Sequence, residues 1–264
     1  MKNKRIYICE NTTDGIFTAI YDAWASSYGH DYNQIAVREP DNYQFFSEFI
    51  YVKTDLDKAV KVSRSICGKI SWQAYEMVFH STLSKNENKA DIIYRFLILG
   101  FAMGNKVLEH VSNPYVNGVF SMDINVKNEF FHYEGFLRFV ELKNRILFAR
   151  MRPENNILGP VADHFGDRLT DENWIIYDED RQTAAIHQAR TQWFIAENFE
   201  FNEAMDFSEL EKQDSLYDLW KCFVDSIGIK ERKNDKLRGQ MLPNRFREFM
   251  PEVPYNKSKT RSKK

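Results

Sequence analysis

Apolar and polar positions along this chain follow two periods, and the places where the period changes mark its elements. Residues 5–9, RIYIC, alternate as a strand does until Asp14-Gly15 breaks the pattern. Ile16, Ala19, Ile20 and Ala23 then recur at helical spacing and predict an amphipathic helix over 15–27. Short strands are predicted at 35–37 and 49–52, and a helix at 56–68 with Asp55 as its cap. Residues 1–70 therefore predict an N-terminal α/β segment, a small mixed sheet carrying helices. A helical cluster follows. Ser71 caps a helix ending near Leu83, a helix over 88–109 is apolar on most sides and so buried, and Pro114 opens another that ends near His132. Gly100 and Gly104, four apart on the second of these, leave room for another helix to pack close.

The period then shortens to two. Residues 135–142 (GFLRFVEL) and 145–152 (RILFARMR) predict a hairpin about Lys143-Asn144. Neither face of its first strand is cleanly apolar, so Arg138 or Glu141 is expected to be partly buried with a partner. A short helix over 158–169 interrupts further strands at 174–177, 183–187 and 192–196, an antiparallel meander with one helical insert. Ser208 and Glu211 form a capping box for a helix to about Ile227, and short helical pieces follow at 234–240 and 243–249. The fold class is α+β: the N-terminal segment, a larger α+β domain over 71–254, and a disordered basic tail over 255–264.

Composition narrows the function classes. The longest apolar run, 96–103, is too short to cross a bilayer, and MKNKRIYICEN has no apolar stretch of signal-peptide length. Cys9, Cys67 and Cys222 are widely spaced with no C-x-x-C, as expected of a cytoplasmic chain that carries no disulfide framework or iron–sulfur cluster of its own. Charge is unevenly placed. From Lys230 on there are twelve basic and four acidic residues, so that end carries +8 and the remainder −10, for a total of −2. A basic end on an acidic body gives a directed electrostatic surface. Motifs of P-loop NTPases, serine hydrolases and zincins are absent.

The densest chemistry lies in 150–181, RMRPENNILGPVADHFGDRLTDENWIIYDEDR. Asp163 and Asp167, and His164 and Arg168, are each four apart on one short helix. A histidine beside carboxylates suits general acid–base work near neutral pH, or a divalent metal, or simply an ion-pair ladder that fixes the helix on the sheet. Asp178, Asp180 and Arg181 fit a turn after a strand, with Arg181 also suited to a phosphate. Glu129-x-x-His132 matches one arm of a di-metal bundle whose other arms are missing, so no metal and no cofactor is expected. In 229–247, Arg and Lys mix with Asn234, Gln240 and Asn244, donors suited to phosphate oxygens, and Phe246 is placed to stack on a base.

GFLRFVEL (135–142), RPENNILGPVADHFGDRL (152–169), WIIYDEDR (174–181) and LWKCFVDSIGIKERKNDKLRGQMLPNRF (219–246) together resemble the bacterial DNA metabolism and DNA repair proteins built around the DUF4130 domain. DGIFTAIYDAW (14–24) and VKTDLDKAVKV (52–62) resemble that family's opening segment, and the domain itself would cover roughly 85–250. The resemblance implies a role in DNA repair or modification beside a radical SAM partner protein. It marks Arg138, Glu141, His164, Asp167, Arg168, Trp174, Asp178, Arg181, Arg232, Asn234, Pro243 and Arg245 as recurrent positions. The chain departs from the family pattern after Glu129, where Phe131 and His132 stand in place of a His and an Arg, and at Cys222-Phe223, where an aromatic is usual.

These readings converge on a polar cleft with His164 and Asp167 at its heart, joined by Asp163. Arg138, Arg168, Arg181, Arg232, Asn234 and Arg245 are expected to bind phosphate or a flipped nucleotide. The alternatives are a hydrolase or glycosylase-like enzyme using His164 and Asp167, and a scaffold without catalysis that delivers DNA to its partner.

Overall fold

The computed structural model describes residues 2–40, 46–142, 145–199, 222–223, 226 and 235–250. Apart from residues 222, 223 and 226, the predicted helix over 208–227 lies outside the described residues, as do the basic tail, Arg232 and Asn234. The chain folds as an α+β protein in two compact units, 1–128 with 154–156, and 129–153 with 157–264.

In the first unit, β1 (Lys4–Ile8) lies between β2 (Asn33–Ala36) and β3 (Ser47–Tyr51). Ile6 stands opposite Gln34 on one side and Phe49 on the other. Both pairings are parallel, so this sheet is wholly parallel where a mixed one was expected. Between β1 and β2 it is α1 (Thr13–Ala25) that carries the chain back to the starting end of the sheet, as parallel pairing requires. Thr12 caps α1 by accepting from the Gly15 amide at 3.0 Å. Gly15 itself is required, because a Cβ there would stand 2.6 Å from the Glu10 carbonyl oxygen.

The caps of the next two helices fall where the sequence places them. Asp55 accepts from the amides of Asp57 (3.0 Å) and Lys58 (3.2 Å) at the start of α2 (Leu56–Lys69). Ser71 accepts from the Ala74 amide at 3.1 Å at the start of α3 (Trp72–Leu83). Helix α4 (Lys89–Met103) is shorter than expected. Gly104 adopts φ +63°, a left-handed residue that ends the helix, and a 3-10 turn completes the span to Glu109. Gly100 does serve close approach: its missing Cβ would meet Ile70 Cδ1 at 2.5 Å. Ile16, Phe17, Ile20, Ile35, Ile66, Ile93, Phe96 and Leu97 form the core of this unit.

Helix α5 (Pro114–Phe136) carries the chain from the first unit into the second. It runs past the predicted end because Tyr133 and Phe136 continue its apolar face against Phe246, with ring centroids 5.0 and 5.9 Å away. The strand expected over 135–142 is accordingly reduced to β4 (Phe139–Leu142). The second sheet has the order β4, β5 (Ile146–Met151), β6 (Asn173–Asp178), β7 (Thr183–His187), β8 (Phe194–Ala196). It is not an antiparallel meander throughout, since β5 and β6 pair in parallel, with Phe148 opposite Ile175. The crossover between them is α6 (Leu158–Arg168), a β-α-β unit inside an otherwise antiparallel sheet. The C-terminal pieces are α7 (Asp235–Met241) and a 3-10 helix over Asn244–Phe249.

Candidate functional site

Helix α6 buries Leu158, Val161, Ala162 and Phe165 and leaves the positions between them for polar groups. The helical period sends those groups in different directions. Nδ1 of His164 lies 2.8 Å from Oε1 of Glu134 on α5. A carboxylate only accepts, so Nδ1 carries the hydrogen and Nε2 is left as the acceptor of the neutral ring. Nε2 is buried and meets no donor among the described residues. Phe130 and Phe165 meet the ring edge to face, with centroids at 6.4 and 5.0 Å.

Asp163 and Asp167, one turn apart, line a cavity of about 550 Å³ with Gly166, Thr170, His187 and Trp193. Asp163 accepts from the Trp193 indole N–H at 3.0 Å, which fixes the indole beside the helix. Gly166 makes room for it, because a Cβ at that position would stand 3.2 Å from Trp193 Cδ1. His187 stacks on Trp174 at 4.9 Å with an interplanar angle of 9°. Its Nδ1 donates to the Glu172 carbonyl at 2.8 Å, so Nε2 is the acceptor of the neutral ring. The cavity thus offers two carboxylates, hydroxyls and an indole face.

Three of the candidate arginines, Arg138, Arg181 and Arg245, have other engagements. Arg138 precedes β4 and donates from Nη1 to the carbonyls of Gly135 (2.9 Å) and Leu137 (3.1 Å), closing the C-terminal end of α5. It is half-buried, whereas Glu141 is exposed. Arg181 donates from Nη1 to Asp178 Oδ2 (2.8 Å) and to the Pro153 carbonyl (3.0 Å). Asp178 also accepts from the amides of Asp180 (3.1 Å) and Arg181 (3.3 Å), the side-chain-capped turn anticipated at 178–181. Burial pushes the Asp178 carboxyl above its ordinary value, and Arg181 opposes that rise. Arg245 stands 3.4 Å from Glu129, whose side chain is 1% exposed, and lies over the Phe246 ring. Arg168 is exposed at the end of α6.

One expectation is corrected here. Phe246 is 3% exposed, enclosed by His132, Tyr133 and Phe136, and cannot offer its face to a base. Glu129 faces Arg245, and among the described residues no three His, Cys, Asp or Glu side chains gather to hold a metal ion. Glu134, Trp193 and His187 carry much of the chemistry and were missed. Glu134 and Trp193 reach α6 from distant sequence, and His187 reads locally as one more strand residue. The one available signal was Trp193 in a polar loop, QARTQWF, where an aromatic is out of place.

Among the described residues no helix is long and apolar enough to cross a membrane. No curated protein matches the chain. The model of DUF4130, a domain of unknown function, matches residues 87–252, which take in α5, α6, the whole second sheet and both C-terminal pieces, and the chain belongs to that family.

Proposed function

We propose that this protein is a nucleic-acid-directed accessory protein of DNA repair or modification, and that the cavity beside α6 receives a single base displaced from its strand. The observation that carries this reading is the Trp193 indole, held by Asp163 at the wall of a 550 Å³ polar cavity. A cavity of this size suits a nucleotide-sized ligand. An indole face stacks on any base, and carboxylates accept from the exocyclic amino groups of cytosine, adenine or guanine. Arg168 and Arg190 are exposed close by in sequence, and the Arg190–Asp171 pair, 82% and 74% exposed, gives way easily to a phosphate. Radical chemistry on the base belongs to the radical SAM partner that the family resemblance implies, since Cys9, Cys67 and Cys222 differ in burial and all stand free.

Fluorescence anisotropy with labelled single-stranded and duplex oligonucleotides tests this, at low and at high salt. The expected result is preference for the single strand, steep salt dependence, and a loss of about tenfold or more on Trp193→Ala, the worth of one stacked base. No binding at low salt, or binding indifferent to Trp193, would overturn it.

A second reading is glycosylase-like hydrolysis in the same cavity. It is favoured by His187, whose ring is locked in one tautomer beside Asp163 and Asp167. His164 is not among the groups lining that cavity, so Asp167 carries the acid–base role. Asp167→Asn would then abolish base release while leaving oligonucleotide binding intact.

A further inference from the structure

The first unit holds a second cavity, of about 380 Å³, lined by Tyr21, Trp24, Lys61, Ser65, Lys69 and Phe101 above a floor of Ile20 and Val62. Of these only Phe101 falls within the matched family segment, which begins at residue 87, so nothing said of the second unit bears on this cavity. Its walls are aromatic. Trp24 and Phe101 meet edge to face at 5.1 Å, and both are half-buried. Two ammonium groups stand at the rim, Lys61 Nζ 5.7 Å from the Tyr21 ring centre and Lys69 Nζ 5.8 Å from that of Phe101.

These two lysines differ from their neighbour. Lys58 is paired with Asp22 at 2.7 Å. Among the described residues neither Lys61 nor Lys69 has a carboxylate within ion-pair reach. Lys61, Ser65 and Lys69 are spaced four apart, so they form one stripe along α2, with the two lysine Cα atoms about 12 Å apart. A neutral apolar guest would satisfy the walls and leave both charges unused. A free phosphate would use the charges and leave the rings bare.

We propose that this cavity binds a small aromatic anion, with its rings among Tyr21, Trp24 and Phe101 and its carboxylate, sulfonate or phosphate held by Lys61 and Lys69. The volume suits a compact ligand, and a cation pair beside aromatic faces recognises planarity and negative charge together.

Two fluorescent probes sharing one ring system separate the possibilities in the full-length protein: anilinonaphthalenesulfonate, which is anionic, and N-phenylnaphthylamine, which is neutral. The sulfonate is expected to bind more tightly than the neutral probe. Lys61→Gln with Lys69→Gln should weaken the sulfonate about tenfold or more, one charge-assisted contact, and change the neutral probe little. Ser65→Trp, which places a ring into the cavity from the exposed stripe of α2, should abolish binding of both. The proposal is overturned by equal affinity for the two probes, by lysine variants that leave the sulfonate unaffected, by binding that survives Ser65→Trp, or by no binding of either probe.

Discussion

Glu134 of α5 holds His164 of α6 at 2.8 Å, with about a quarter of each side chain exposed, so the imidazole that looked like the centre of a cleft is committed to a neighbouring helix. This pair acts first as a fastening between two helices. Glu134→Leu leaves the Nδ1–H without an acceptor and should cost about 1 kcal/mol in urea unfolding, with Glu134→Gln costing less because its amide oxygen still accepts. Oligonucleotide binding should be the same in both variants and in the parent. A loss of binding at unchanged stability would return His164 to the site.

Asp123 predicts acid sensitivity in the first unit. It is 6% exposed and accepts from His80 Nδ1 at 2.7 Å and Lys127 Nζ at 3.1 Å. Burial pushes its carboxyl up, but the bonds from His80 and Lys127 outweigh that and hold it below the ordinary value. The folded state then binds the proton less readily than the unfolded chain. The stabilisation is present above the unfolded value, about pH 4, and is lost as pH falls through the lower folded value. Asp123→Asn should therefore be less stable by about 1–3 kcal/mol at neutral pH and should lose less on acidification. Urea midpoints measured across that range check both.

Arg181 gives the opposite sign. Its partner Asp178 is fully buried, and burial raises the carboxyl above the ordinary value in spite of the guanidinium. A raised carboxyl means that the folded state holds the proton longer, so this group's contribution falls as pH rises from the ordinary value through the folded one. Removing the guanidinium strengthens the trend. Arg181→Met should destabilise by about 3 kcal/mol near neutral pH, where the buried carboxylate is left alone. The deficit should shrink as pH falls, as the acid takes up its proton. A deficit that does not vary with pH would show that the Pro153 carbonyl contact, not the charge, is what Arg181 contributes.

Legibility followed the range of the forces involved. Asp55, Ser71 and Pro114 announced their helices because capping acts within one turn, and the sequence carries that information locally. Strand positions were legible for the same reason, but direction was not. Alternation is identical in parallel and antiparallel strands, although the helix between β5 and β6 already implied a crossover. The end of α5 was misplaced because Phe246, far along the chain, decides it. The site divides in the same way. Asp163 and Asp167 were found by spacing, whereas Trp193 and Glu134 reach α6 only through the fold.

Gly166 offers a way to separate stability from binding. It lies in the last turns of α6, and a Cβ there would stand 3.2 Å from Trp193 Cδ1. The indole can give by a few tenths of an ångström only by moving away from the helix, and its 3.0 Å bond to Asp163 lengthens as it does. Against this, alanine is the better helix former by about 1 kcal/mol. Gly166→Ala should therefore leave the urea midpoint nearly unchanged or slightly raised, while weakening single-strand binding in the same direction as Trp193→Ala, though less. If Gly166→Ala binds as the parent does while Trp193→Ala does not, the base needs the indole itself but not its hydrogen bond to Asp163, and the carboxylate is free to read the base edge.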